Sequence, residues 1–130
     1  MTGTGSLGIQ QVGQVALNVR DIARATAFYR DTLGLRHLFS APPKMAFFDD
    51  GHGLRILIGE PEAGAERHAS AMLYYKVPDI DAAHARLTAA KVELDVAPHF
   101  VAKMPDHDLW LATYKDGEGN TFALMCEKRT

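Results

Sequence analysis

Two imidazoles and two carboxylates fall close together late in the chain, as His99, Asp106, His107 and Asp108. Such groups can move protons, with His107 as the acid–base and Asp106 or Asp108 orienting it, or can ligate a metal. The spacing demands neither, because His99 and His107 are not one helical turn apart and a solvated loop accounts for them equally well. Other side chains are equipped to hold a ligand. Gln14 and Asn18 carry amides, Tyr74 and Lys76 can donate to an oxyanion or carboxylate, and Trp110, the single tryptophan, can stack on a planar molecule or anchor a core. The lone Cys126 shares the alternation of Leu124, which turns it away from these groups and disfavours a cysteine nucleophile. No glycine-rich phosphate loop, GxSxG elbow or HExxH helix is present.

To act together these residues need a scaffold. From Gln14 to Val19, apolar Val15, Leu17 and Val19 alternate with Gln14, Ala16 and Asn18, the period-two pattern of a strand with one oily and one wetter face. Asp21 stands at an N-cap, and Ile22, Ala25, Tyr29 and Leu33 follow at helical spacing until Gly34 stops the helix. Segments Leu35–Ser40, Met45–Phe48 and Leu54–Ile58, separated by Pro42-Pro43 and by Gly51–Gly53, read as three short strands. The second half repeats this order, with a strand at Met72–Val77, a helix from Asp79 to about Ala90, and strands at Val92–Val96, Leu109–Tyr114 and Thr121–Cys126.

The repetition is visible in the residues themselves. QVALNVRDIARA (Gln14–Ala25) recurs as MLYYKVPDIDAA (Met72–Ala83), aligning Val19 with Val77, Asp21 with Asp79, Ile22 with Ile80 and Ala25 with Ala83; DDGHG recurs as KDGEGN. The expected class is therefore α+β, with two tandem βαβββ modules, residues 9–58 and 72–127, joined by a linker at 59–71 within a single domain, 1–130. Their strands should form a curved mixed sheet around a cleft. The halves differ most at Ala97–His107, which reads as a long loop rich in His and Pro. Each helix must cover the oily face of its sheet, so Val15, Leu17, Val19, Leu73, Tyr75 and Val77 should point to helices. Gln14, Ala16, Asn18, Met72, Tyr74 and Lys76 are left for the open face, and only one of Phe47 and Phe48 can join them.

The totals narrow the partners. Lys and Arg (14) nearly balance Asp and Glu (16), and the cations are scattered, so neither a nucleic acid nor an anionic membrane is expected. No run approaches the roughly 20 apolar residues of a membrane span. The opening MTGTGSLG lacks a basic flank and an apolar core, so a cytoplasmic protein with a frayed N-terminus is expected. A single cysteine excludes an internal disulfide and fits a reducing compartment.

Paired βαβββ modules with QVALNVRDIARATAFYRDTLGL (Gln14–Leu35), YKVPDIDAAHARL (Tyr75–Leu87) and KDGEGNTFALMCE (Lys115–Glu127) resemble the vicinal oxygen chelate superfamily, the glyoxalase, bleomycin-resistance and extradiol-dioxygenase group. Gly117 stands where the family's DPxGN turn has proline. The resemblance implies a divalent-metal cage in metal-using members, built from the first and last strands of each module. Carried onto this chain, those positions are Gln14, Ile56 (or Leu57 if the strand slips by one), Met72 and Ala123, of which only Gln14 offers a suitable donor. No metal and no cofactor is therefore expected. The resemblance further implies a homodimer.

Three functions follow as expectations. The leading one is binding of a small organic molecule in the sheet cleft without metal, using Gln14, Asn18, Tyr74, Lys76, His99 and Trp110. The second is a lyase, isomerase or dioxygenase-like enzyme with its site displaced to the His99–Asp108 loop, and the third is a dimerisation module without a ligand.

Overall fold

The computed structural model describes residues 11–61 and 71–129. The opening MTGTGSLG, the first two residues of the 9–58 module and linker positions 62–70 lie outside them.

The first half runs β1 (Gln14–Asn18), α1 (Ile22–Ala27), β2 (Arg36–Ala41), β3 (Met45–Asp49) and β4 (Arg55–Gly59); the second runs β5 (Leu73–Lys76), α2 (Ile80–Ala89), β6 (Glu93–Lys103), β7 (His107–Lys115) and β8 (Thr121–Arg129). The strands form two four-stranded sheets, ordered β1-β4-β3-β2 and β5-β8-β7-β6. In each, the first and last strands of the module pair in parallel and the rest antiparallel. The repeated βαβββ plan is thus realised twice, as two mixed sheets with β1 and β5 at their edges.

Local chemistry explains the junctions. Asp21 and Asp79 cap their helices by accepting from Arg24 N (3.1 Å) and Ala82 N (3.0 Å). The first helix departs from simple α spacing, because after Ala27 the backbone widens into a π turn over Phe28–Thr32 before Gly34 (φ +76°) turns the chain away. That turn seats Tyr29 in the core and leaves Phe28 edge-on to Phe122 of the second module, ring centroids 6.0 Å apart.

The stretch Ala97–His107 is not a long loop. Strand β6 continues to Lys103 and β7 begins at His107, leaving a short hairpin turn. Pro98 is tolerated because β6 is an edge strand, and register shifts between Leu94 and Ala102 absorb the irregularity.

One core lies under each sheet. Leu17, Val19, Ala25, Tyr29, Ala46, Phe48, Ile56 and Ile58 make the first; Ile80, Leu87, Ala112, Tyr114, Phe122, Leu124 and Cys126 make the second. Phe28, Leu33 and Tyr75 pack against both and join them.

A polar lock complements that apolar seam. The β7–β8 turn buries Asp116, Glu118 and Asn120 against the β1–α1 junction. Glu118 Oε1 accepts from Arg20 N (2.7 Å) and Asp21 N (2.8 Å), while its Oε2 accepts from Arg24 Nε (2.7 Å). Asp116 accepts from Tyr29 Oη (2.7 Å), and Asn120 Nδ2 donates to Asn18 O (2.8 Å). These bonds cross between the modules and satisfy backbone donors that α1 cannot satisfy itself. Glu118→Ala should lower unfolding free energy by about 2–4 kcal/mol, because it strands two backbone N–H groups and removes a fully buried, charge-paired acceptor. Urea denaturation checks this, and a loss below about 0.5 kcal/mol, the scale of an ordinary surface substitution, would contradict it.

Candidate functional site on the open sheet faces

Register and alternation divide each sheet into a helix-facing side and an open side. On the open side of the first sheet one row holds Gln14, Arg55, Asp49 and Arg36, and the next holds Ala16, Leu57, Phe47 and Phe39. Phe39 and Phe47 stack at 4.5 Å, and the Arg55 guanidinium sits over both, 5.8 and 5.5 Å from their centroids. Phe48 is the buried member of the Phe47–Phe48 pair. Ile56 is buried in the core, so the residues of β4 that share the face of Gln14 are Arg55 and Leu57. Of the two alternatives for that ligand position, Leu57 is the one on the face of Gln14, since the Ile56 side chain is drawn into the core with Val15 and Phe48.

The second sheet has matching rows. Tyr74, Ala123, Thr113 and Val96 form one, and Lys76, Met125, Leu111 and His99 the next. Farther along, Glu127 pairs with Leu109 and Arg129 with His107. Charges gather at this end: Lys76 Nζ lies 3.2 Å from Glu127 Oε1, Arg129 lies 3.3 Å from the same oxygen, and His107 Nε2 lies 4.0 Å from Glu127 Oε2. His107 Nδ1 bonds Asp106 Oδ1 at 2.7 Å, and Asp106 also pairs with Arg129.

The side chains singled out from sequence therefore separate. Gln14 and Asn18 share the open side of the first sheet, and Tyr74, Lys76, His99 and His107 that of the second, with Asp106 in the adjoining turn. His99 is engaged locally, its Nδ1 2.8 Å from Ala97 O. Trp110 and Asp108 lie on the opposite, helix-facing side, because alternation along β7 puts them out of phase with His107. Trp110 packs against the second core beneath the Lys128 ammonium, 4.0 Å from its ring. Asp108 has a buried Oδ1 without a hydrogen-bond partner, with Lys103 Nζ 3.9 Å away. Asp108 does not join the His107 pair.

Arg55, Phe39 and Glu127 were missed by sequence reasoning. Period-two counting from Gln14's partner on β4, and from Ala123 along β8, would have placed Arg55 and Glu127 on the open faces. Phe39 was harder to place, because the register of β2 shifts between His37 and Phe39.

A crevice of about 520 Å³ lies between α1 and the β2–β3 hairpin, lined by Ile22, Thr26, Pro42 and Met45 among others. A second, of about 620 Å³, runs between the modules, with Leu33, Leu54, Ile56, Leu73, Val77 and Leu124 as apolar wall and Asp50, His52, Tyr74 and Lys76 among its polar groups. Tyr75 also lines it, and its hydroxyl is buried without a hydrogen-bond partner. Burial, followed by the Asp116 and Asp50 carboxylates, raises the Tyr75 pKa above that of an ordinary phenol and keeps it a protonated donor.

The positions that the resemblance assigns to metal ligands carry, on this chain, Gln14 with Arg55 as its register partner, Leu57, Met72 and the buried Ala123. A guanidinium repels a divalent ion, a thioether is a poor ligand for a hard one, and a methyl group offers nothing. These residues do not make a donor set for that ion.

Two βαβββ modules with open, partly apolar sheet faces define a small α+β class. The chain belongs to the Glyoxalase/Bleomycin resistance protein/Dioxygenase superfamily, whose family profile matches residues 11–124. It is similar in structure to a member of this superfamily from Sphaerobacter thermophilus (TM-score 0.76, 24% identity, covering 93% of this chain and 100% of that one). It is also similar to the genomically encoded fosfomycin resistance protein FosX of Listeria monocytogenes (0.68, 21%, 91% and 93%). A third likeness is to TnmS3, an antibiotic binding protein from Streptomyces sp. (0.68, 20%, 95% and 100%). At these identities the likeness carries the fold. A search of curated proteins gives no match. No helix among the described residues is long and apolar enough to cross a membrane.

The hydrogen bond from His107, followed by the charge of Arg129, holds the Asp106 carboxyl below its usual 3.8. A depressed carboxylate contributes stability above its unfolded pKa and loses it as pH falls through the folded one. Carbon-detected NMR titration should place the Asp106 midpoint under 3.8, and His107→Ala should move it upward. A midpoint indifferent to that substitution would show that the 2.7 Å contact does not form in solution.

Proposed function

We propose that this protein binds a small, partly apolar organic molecule on its open sheet faces without a metal ion and without bond chemistry. The observation that carries this reading is the first open face, where Arg55 lies over the stacked Phe39–Phe47 pair and Gln14 is the single side chain at the ligand positions able to serve a Lewis acid. Glyoxalase-type isomerisation and extradiol cleavage need that Lewis acid, and this chain's own residues do not supply its ligands. What the faces do supply is apolar and aromatic surface with a few polar groups, the composition of a binding cleft.

A second copy of the chain closes the cleft in this reading. Phe39, Met72, Tyr74 and Val96 are large apolar side chains left exposed on or beside the open sides, and apolar surface of this kind is ordinarily covered by a partner. Localisation in the cytoplasm belongs to the same proposal, consistent with a single free cysteine.

One arrangement favours a second reading, acid–base catalysis. His107 lies between Asp106 and Glu127, on the same open face as Lys76. In that role His107 would exchange the proton, with Asp106 fixing its ring and Glu127 as the further carboxylate. The reading is weaker because Asp108 faces away and Arg129 engages both carboxylates.

Thermal-shift screening of small aromatic and heterocyclic molecules, with and without a strong chelator, separates these possibilities. Ligands should raise Tm equally in both conditions and be recovered unchanged. Stabilisation abolished by chelator, or turnover lost in His107→Asn, would overturn the binding reading. Light scattering should give twice the 14.2 kDa chain mass, and a monomer would remove the partner copy from the account.

A further inference from the structure

The geometry points to the Arg55–Phe39–Phe47 platform as a recognition site for planar aromatic carboxylates. This rests on the small-molecule reading above and names the chemical class of its ligand.

The guanidinium of Arg55 lies over two rings that are themselves stacked at 4.5 Å, within cation–π range of each. Packing one face of the fork on aromatic surface restrains it while leaving its in-plane N–H donors at the edge. Among the described residues the Arg55 side chain makes no hydrogen bond or ion pair, so those donors lack a protein acceptor. The charged groups in its row are Asp49 and Arg36. Asp49 Oδ1 already accepts from Gly51 N at 2.9 Å, and it forms no ion pair with either arginine within 4.0 Å. The row thus has two cations against one carboxylate.

Gln14, exposed on β1, is the register partner of Arg55, while the guanidinium leans the other way, toward Phe47 of β3 and Phe39 of β2. A carboxylate placed against the edge of Arg55 receives two parallel N–H bonds, the geometry in which arginine binds such groups best. A planar ring attached to that carboxylate meets Phe39, half exposed at 44%, with Ala16 and Leu57 as small and aliphatic floor. A neutral amide of the same shape keeps the ring contacts and loses the charge-assisted pair. The second sheet offers no equivalent platform among the described residues, because Lys76 and Arg129 are neutralised by Glu127 and Asp106 there.

The test uses 1-naphthoate and its neutral isostere 1-naphthamide as probes, followed by amide chemical shifts of the full chain. Naphthoate should shift residues of β2, β3 and β4 and bind at least about tenfold more tightly than naphthamide, the discrimination of a charge-assisted bidentate pair. Arg55→Met keeps a stem over the rings and should bring the two probes to equal affinity, while Arg55→Lys should retain part of the preference. Arg86→Met, exposed on α2 and away from the open faces, should leave it intact. Equal affinity in the unaltered protein, or a preference that survives Arg55→Met, overturns the inference. If Arg55→Met does not fold, the Arg55 Nε–H resonance of the unaltered protein decides, and its failure to move with naphthoate has the same meaning. Failure here while other small molecules stabilise the protein leaves the binding function standing; failure of every molecule removes that function itself.

Discussion

The buried carboxylate of Glu118 is the constraint from which the arrangement of the two modules follows. A fully buried charge is costly unless its lone pairs are filled, and here two backbone N–H groups and the Arg24 guanidinium fill them. Because its donors belong to the first module and the carboxylate to the second, the energy of satisfying it is available only when the modules are docked in one way. Asp116 and Asn120 add bonds across the same junction, and Phe28 and Tyr75 supply its apolar counterpart.

The repeat makes the absence of a second such lock informative. The two module turns have the same backbone: Asp50 Oδ1 accepts from His52 N and Leu54 N as Asp116 Oδ1 accepts from Glu118 N and Asn120 N, with positive-φ glycines at corresponding places. Yet His52 occupies the position of Glu118, and Pro78, which has no N–H, occupies that of Arg20. The reciprocal junction therefore has neither the acceptor nor one of the donors, and the inter-module crevice with its unpartnered Tyr75 hydroxyl lies beside it. A sequence written twice has become a closed junction on one side and an open one on the other.

Much of this was legible in the residues. The alternation Val15, Leu17, Val19 against Gln14, Ala16, Asn18 gave β1 and its two faces, because burial on one side of a strand has period two. Asp21 and Asp79 were recognisable caps because an N-terminal turn lacks acceptors for its N–H groups. What was not legible depended on long-range pairing. His99 to His107 looked like a loop since Pro98 breaks strand propensity, and only the edge position of β6 makes the proline harmless. Trp110 and Asp108 were read together with His107 because they are neighbours in sequence, whereas alternation sends them to the other face. Arg55 emerged only with cross-strand register, which no local pattern specifies, whereas counting by two along β8 from Ala123 reaches Glu127.

The central proposal is that this chain binds its small molecule without a divalent ion, on a face where Arg55 lies over Phe39 and Phe47. Anomalous diffraction from crystals soaked in manganese or zinc at concentrations that saturate metal-using members of the superfamily tests it most directly. The account predicts no anomalous peak beside Gln14, with Arg55 density continuous over Phe39 and Phe47. A full-occupancy peak coordinated by Gln14, with Arg55 swung away from the rings, would contradict it.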